Sequence, residues 1–584
     1  MVRIISCLSL ALLSFAAQAQ LLAPERSTDW ALAGNTTQIS ASDNSISILD
    51  YGADATGVAP SNAAYAAAIA TLNGAAGTIL FPEGQYYFTS ELLVPDSVFL
   101  QGESSASILK FDLGNTGDLI RMAGSISANP IFLSQAASRG TSSIVIDDAS
   151  SFVAGDLIRL AMTDNDLMFS DWAYGQLGQI VEITSIEDNN LTLADPLNTY
   201  YPMSRAPKVF KVTPVRAAGV ECLSIIRADA ADLQASNINI RAAFNCVVRN
   251  VHSTFCAFAH VELNVSAHIT VQGCYFNQAI GYGSGGRGYG VMLQETSSFN
   301  HVQNNIFDRL RHSMIAQSGA NGNVFSYNFS RDPYWTDVSL PTNSAGDLVM
   351  HGNYPYMNLA EGNTVQHIVV DASHGINGPM NTFFRNRSQL YGFFSDSGTP
   401  TDSMNLIGNE TTNMGFLMGN FIVNGAGHLN HGNNVRGTTT PAGTQSIGIQ
   451  SLLYSDGSYP SYMNGTLPMI GYPLAMYANT TPASIRYDAG GVMVSCEDEV
   501  VTTVAEDGDV SEMPSLNGNL LIVPQAMLPA QLTIFGIDGR LQMEMRIASI
   551  STRLPELIPA IYVLHVRSGN GIETRLKIPI GFAD

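Results

Sequence analysis

Apolar and polar residues alternate in short runs along most of this chain, and the runs break at Gly, Asn, Asp or Pro. Alternation over about 4–8 residues marks a half-buried strand, so an all-β protein is expected. One early stretch differs: Asn62 to Leu72 is Ala-rich and unbroken, which predicts a helix. From about residue 235 the β-type runs end repeatedly in Asn. Examples are Val248-Arg249-Asn250, Val302-Gln303-Asn304-Asn305, Phe325-Ser326-Tyr327-Asn328, Ala360-Glu361-Gly362-Asn363, Phe384-Arg385-Asn386 and Ile407-Gly408-Asn409. With Cys274 filling a gap and Asn433 or Asn434 following, the steps are 24, 31, 23, 35, 23, 23 and then 24 or 25.

A period near 23 built from β-branched and Asn-rich runs predicts a parallel β-solenoid, with equivalent residues stacked about 4.8 Å apart on adjacent coils. Asn suits the turns because it tolerates the left-handed backbone region and its amide can bond along a column. A leucine-rich repeat has a similar period but needs a recurrent Leu pattern, which is absent. The two long steps imply loop insertions, one containing Gly281 to Gly290 and the other Asp332 to Asp337. Residues 128–212 break the repeat with short alternating strands, and read as an inserted β-module. Trp172 and Tyr174 lie in its longest loop, where they either wall a groove or fill the module's own core. The repeat fades after about 450, Cys496 to Pro514 is acidic and linker-like, and four further strand patterns follow.

Two stretches carry family resemblances. Asp50-Tyr51-Gly52-Ala53-Asp54-Ala55-Thr56-Gly57, the helix, then Gly77-Thr78-Ile79-Leu80-Phe81-Pro82-Glu83-Gly84-Gln85-Tyr86 and Val98-Phe99-Leu100-Gln101-Gly102 resemble the opening of the pectate-lyase/polygalacturonase-like superfamily. The resemblance implies a right-handed parallel β-helix capped by the helix. It implies little about activity, because that fold hosts lyases, hydrolases, epimerases and fibres. The paired-aspartate and Arg-Ile-Lys motifs of polygalacturonases and the Arg-x-Pro-x-x-Arg of pectate lyases are missing, so those catalytic residues do not carry over. At the other end, Leu532 to Arg540 and Leu557 to Val566 resemble the C-terminal sorting domain of type IX secretion cargo, a small β-sandwich; Ala560 stands where Gly is usual. That resemblance implies the type IX secretion machinery as a partner and a secreted or surface-attached protein.

The expected organisation is an export signal at 1–19, a lead at 20–45, the start of the β-helix at 46–127, the inserted module at 128–212, and the β-helix body with its groove at 213–465. A trailing segment and linker at 466–514 and a sorting-type sandwich at 515–584 complete it. Arg3, the apolar run Ile4 to Phe15 and Ala17-Gln18-Ala19 form the signal pattern. No later run is long enough for a membrane span.

Composition narrows the chemistry. The 584 residues carry 27 Lys+Arg against 49 Asp+Glu, a net charge of −22, which argues against general nucleic-acid binding. Only four Lys occur, none between 212 and 576, so cations in the repeat region are Arg or His. Five Cys follow the signal, an odd number without zinc spacing; buried free thiols are expected rather than a disulfide framework. No cofactor is expected, and nothing in the sequence supports a calcium ion.

Ten of the eleven His lie between 252 and 431, densest with Asp and Arg from Arg309 to Arg387. Counting back from the Asn turns, His351 and His374 share one offset, His312 and Asp347 another, and Asp371 lies close to the latter. His312, Asp347, His351, Asp371 and His374 are therefore expected on one face, with Arg385 or Arg387 at its edge. Arg309, Tyr334, Trp335, Tyr354 and Tyr356 are the expected sugar contacts. A buried ladder role is the competing explanation for any single His. An acidic polysaccharide is the expected partner. β-Elimination would use Arg385 or Arg387 to neutralise a uronate, His312 or His374 as base and Tyr354 or Tyr356 as acid. Hydrolysis would use Asp347 and Asp371 as a carboxylate pair. A non-catalytic adhesin is the alternative of another class.

Overall fold

The computed structural model describes residues 21–36, 39–42, 44–229, 234–337, 345–444, 447–471 and 480–491, and seven strands between 515 and 580. The expected signal at 1–19 and the acidic linker at 496–514 lie outside the described residues. Two compact units are present, 1–498 and 499–584.

The first unit is a right-handed parallel β-helix. One parallel sheet of twelve strands runs from Ser45–Ser47 through Gly77–Phe81, Val98–Gly102, Gly219–Glu221 and Val247–Arg249 to Leu429–His431, one strand per coil. A second parallel sheet system follows each of these strands around the coil. Alternation sends one residue set inward: Val248, Val271, Val302, Phe325, Ala360, Phe383 and Leu406 stack in register in a continuous core. The helix α1 (Asn62–Leu72) buries Ala64, Tyr65, Ala68 and Leu72 against the first coils, as a cap does.

The expected Asn column forms. Asn305, Asn328, Asn363, Asn386 and Asn409 each donate backbone N–H and side-chain Nδ2 to the Oδ1 of the next, at 2.8–3.1 Å, and Asn433 ends the row. Cys274 occupies the same column, donating its N–H to Asn305. Asn250 does not: it lies one place earlier, in a column of left-handed residues with Asn304, Tyr327, Gly362, Arg385 and Gly408. A second column, Asn300, Asn323, Asn358 and Asn381, was not expected and brackets the same short strands from the other side.

The inserted module is an antiparallel sheet with its own core; it begins with Ser125–Ile126, three residues earlier than expected, because that strand pairs with Val212–Thr213. It seats on the coil through Asn198 to Asn321 and Tyr356 Oη to Gly178 O. The coil strands end near Thr440, short of 465. Beyond them, Leu453, Met463 and Leu467 run back along the outside of the coils and pack beside Phe384 and Tyr327. Cys246 and Cys256 are buried free thiols and Cys274 is buried, whereas Cys222 is disulfide-bonded. The second unit contains a three-stranded and a four-stranded antiparallel sheet. No described helix is long and apolar enough to cross a membrane.

Candidate functional site

The site lies on the face made by strands Ala259–Asn264, Tyr289–Gln294, His312–Ala316, Leu348–Met350 and Thr364–Val370. Val291, Met314, Leu348 and Ile368 point into the core, and Met292, Ile315, Val349 and Val369 form an apolar floor on the other side. Above that floor runs a row of rings. Tyr289, in register with His312, stacks on it at 5.2 Å. His312 meets His351 at 5.4 Å, His351 meets His374 edge-on at 5.0 Å, and His374 meets Trp172 of the inserted module at 6.0 Å.

His351 Nδ1 lies 2.6 Å from Asp371 Oδ2, while Asp371 Oδ1 accepts the Ser373 N–H at 3.0 Å. Burial pushes the Asp371 carboxyl up, but the charge and hydrogen bond of His351, with the Ser373 amide, outweigh it and hold the carboxyl below the usual range. In the neutral ring this contact has Nδ1–H donating to Asp371 and leaves Nε2 as the acceptor. His312 donates Nδ1–H to Gly346 O at 2.6 Å, and burial, helped by His351 and Arg311, pushes it down to about 3. It is a neutral wall. Burial, then His351, also lowers His374, whose Nδ1 sits 3.3 Å from Ser170 Oγ.

The cation is Arg311. It is buried, its Nη1 donates to Gly283 O at 2.8 Å, and its guanidinium lies 4.8 Å from the Trp335 ring and 5.8 Å from that of Tyr289. The two insertion loops hold this wall together: Ser284 N–H donates to Asp337 at 2.6 Å, and Tyr282 meets Tyr334 edge-on. Two cavities meet at Arg311, Trp335, His351 and Ser373. The larger, about 750 Å³, also has Trp172, Glu262, Tyr289 and His374 in its walls. The smaller, about 440 Å³, is mainly apolar. Glu262 is buried, which pushes its carboxyl up, and it accepts from Ser236, Asn239, Asn264 and Gln294. Among the described residues no group of His, Cys, Asp and Glu is arranged to hold a metal ion.

Of the residues expected from sequence, His312, His351, Asp371, His374 and Trp335 come together here. Asp347 does not. It is fully buried at a corner of the coil, accepting the N–H groups of Gln366 at 2.8 Å and His367 at 2.6 Å, and burial raises it to about 6. Arg387 is buried against Glu410 at 2.8 Å, and Arg385 donates to Ile449 O, both away from the histidine row. Tyr356 is spent on Gly178, and Tyr354 packs against the inserted module's core. Arg309 turns away at a left-handed corner and lies over Tyr334 at 4.7 Å; neither lines the cavities.

The offsets misled because corner lengths vary. Met314, Leu348 and Ile368 are in register, yet they precede Asn328, Asn363 and Asn386 by 14, 15 and 18 residues. His312 therefore faces Gly346 rather than Asp347, and His351 lies one step past the Met350–Val370 pair, beside Asp371. Arg311, Tyr289, Glu262 and Trp172 were missed as site residues, Trp172 having been weighed only as groove or core. Tyr289 was within reach: it precedes His312 by 23 residues, the repeat itself.

Residues 45–192 match the family model described as rhamnogalacturonase A/epimerase, pectate lyase-like. That description names polysaccharide-acting enzymes, and the stretch contains the opening motif that resembled this superfamily. The chain is a right-handed parallel β-helix protein with a pectate-lyase-like N-terminal portion. Among solved structures it is similar to the tailspike protein gp49 of Pseudomonas phage LKA1, at 17% identity, covering 63% of this chain and 64% of that one, with a TM-score of 0.49. It is also similar to the gp54 tailspike of Acinetobacter baumannii bacteriophage AP22, solved with capsular saccharide, at 13% identity, 66% and 69% coverage and TM-score 0.40. A third is an exopolygalacturonase of Thermotoga maritima, at 11%, 65% and 83%, and 0.37. The match spans less than two thirds of the first of these structures. No curated protein sequence matches the chain.

Proposed function

We propose that this protein cleaves a uronate-containing polysaccharide by β-elimination at the histidine row. The observation that carries this is the His351–Asp371 pair, 2.6 Å apart, in the wall shared by both cavities and beside Arg311. In this reaction Arg311 faces the uronate carboxylate and offsets the charge that develops when C5 loses its proton. His351 Nε2 takes that proton. The electron pair left at C5 forms the C4–C5 double bond as the C4–O bond breaks, and the His351 imidazolium returns a proton to the leaving oxygen. Asp371 stabilises the transient imidazolium and keeps its ring oriented. Trp172, Trp335 and Tyr289 offer faces on which sugar rings stack.

A panel of uronate, sulfated and neutral glycans tests this. Ultraviolet-absorbing unsaturated uronate ends support elimination. New reducing ends without that absorbance would replace it with hydrolysis, and retained binding with neither product would make the protein an adhesin. The second unit is proposed to direct export through type IX secretion, as its sequence resemblance implies. Deleting residues 515–584 should leave the protein in the periplasm with its activity intact; normal secretion of the truncated chain would sink this.

A further inference from the structure

The smaller cavity has walls unlike those of a sugar-ring site. Val369, Phe393, Phe394, Leu417 and Ile422 line it with apolar surface, which does not match a ring bearing hydroxyls. Yet the Nε of Arg311, the Nδ1 of His367 and the Oη of Tyr391, all on lining residues, are buried without a hydrogen-bond partner among the described residues. The His367 and Tyr391 rings are 5.2 Å apart. Buried polar atoms are costly unless something closes them, so an apolar pocket with a few such atoms describes a ligand with an apolar body and a small polar handle.

We infer that this cavity binds the acetyl group of an acetylated sugar whose ring lies in the adjoining larger cleft. The inference rests on the glycan reading of that cleft. The acetyl methyl meets Val369 and its in-register neighbour Phe394, and the acetyl carbonyl accepts the Tyr391 O–H. Gly346 packs against this wall: a Cβ there would lie 2.6 Å from Val369 Cγ2. An O-acetyl ester and an N-acetyl amide share this methyl-carbonyl chemistry.

Saturation-transfer NMR on the full chain separates the two sources, using N-acetylglucosamine, an O-acetylated galacturonate and their non-acetylated counterparts. The expected result is that the methyl of at least one acetylated probe receives the strongest transfer, and that its parent sugar binds at least about tenfold more weakly. Which probe does so identifies ester or amide. Tyr391→Phe, which keeps the ring, should weaken that probe about tenfold, and Val369→Trp should fill the cavity and abolish the methyl signal. The inference is overturned if the methyl receives no more transfer than the ring protons, if no probe shows transfer, or if both variants bind as the wild type does. Binding is read without turnover. A protein that holds the methyl yet cleaves no uronate glycan keeps this inference and loses the elimination; cleavage without methyl contact does the reverse.

Discussion

Two rows of polar side chains run along the axis of this β-helix, and they differ in what is left over. In the longer Asn column the amides are used up: the Oδ1 atoms of Asn328, Asn363, Asn386 and Asn409 each accept two N–H groups from the coil before, and each Nδ2 also reaches a carbonyl, as Asn363 Nδ2 does to Phe325 O at 2.8 Å. In the histidine row the rings stack, but His351 Nε2 has no hydrogen-bond partner among the described residues while its Nδ1 is held by Asp371. Both rows arise from the same stacking of coils. A closed set of hydrogen bonds holds coils together; an open valence on a rigid scaffold is available for chemistry.

The sharpest way to break this contrast is to remove the open valence. His351→Ala should lower turnover of a uronate glycan by about two to four decades, and Asp371→Asn should follow it by misorienting the ring. His351 is buried against Asp371, so His351→Ala should also cost about 1–3 kcal/mol in urea unfolding, and turnover is compared per folded molecule. Wild-type turnover in that variant would remove His351 from the reaction.

The closed row should behave oppositely. Asn363→Ala strips acceptors from Asn328 and a donor from Asn386, and should cost about 2–4 kcal/mol in urea unfolding, with turnover per folded molecule unchanged. A neutral effect on stability would mean the column contributes little.

Asp347 tests a residue whose offset suggested the first row and whose hydrogen bonds belong to the second. Asp347→Asn turns an amide N–H toward backbone donors and should cost about 1–3 kcal/mol. Its native carboxyl titrates at about 6, above the unfolded value, so its contribution is present at low pH and lost as pH rises through 6. The gap between wild type and variant should therefore narrow as pH rises from about 4 to above 6. A gap that widens would contradict the buried assignment.

The slope of stability with pH tests His301, a histidine of the closed region, bonded to Ser326 Oγ at 2.7 Å. Burial pushes it down to about 3, so the unfolded chain binds a proton that the folded one refuses below about 6.5. Wild-type stability should fall on acidification across that window. His301→Gln should flatten the slope by at most about 1.4 kcal/mol per pH unit. An unchanged slope would mean His301 is protonated in the fold.

The sequence by itself determined the coil. Alternation and an Asn every 23 or so residues specify inward and outward positions and a stacking column, because both are local properties that repeat. The helix at Asn62–Leu72, the break in the repeat after the first coils and the crowding of His, Asp and Arg into one part of the chain were legible because they too are local patterns. The site's membership was only half legible. His312, His351, Asp371, His374 and Trp335 were found, but Asp347, Arg385, Arg387, Tyr354 and Tyr356 point elsewhere. Only the tertiary structure decided this, because the corners between strands vary in length from coil to coil. A one-residue change there exchanges the column a side chain joins, turning Asp347 inward and bringing Asp371 beside His351. Trp172 reaches the row from a module whose packing no repeat within the coil encodes.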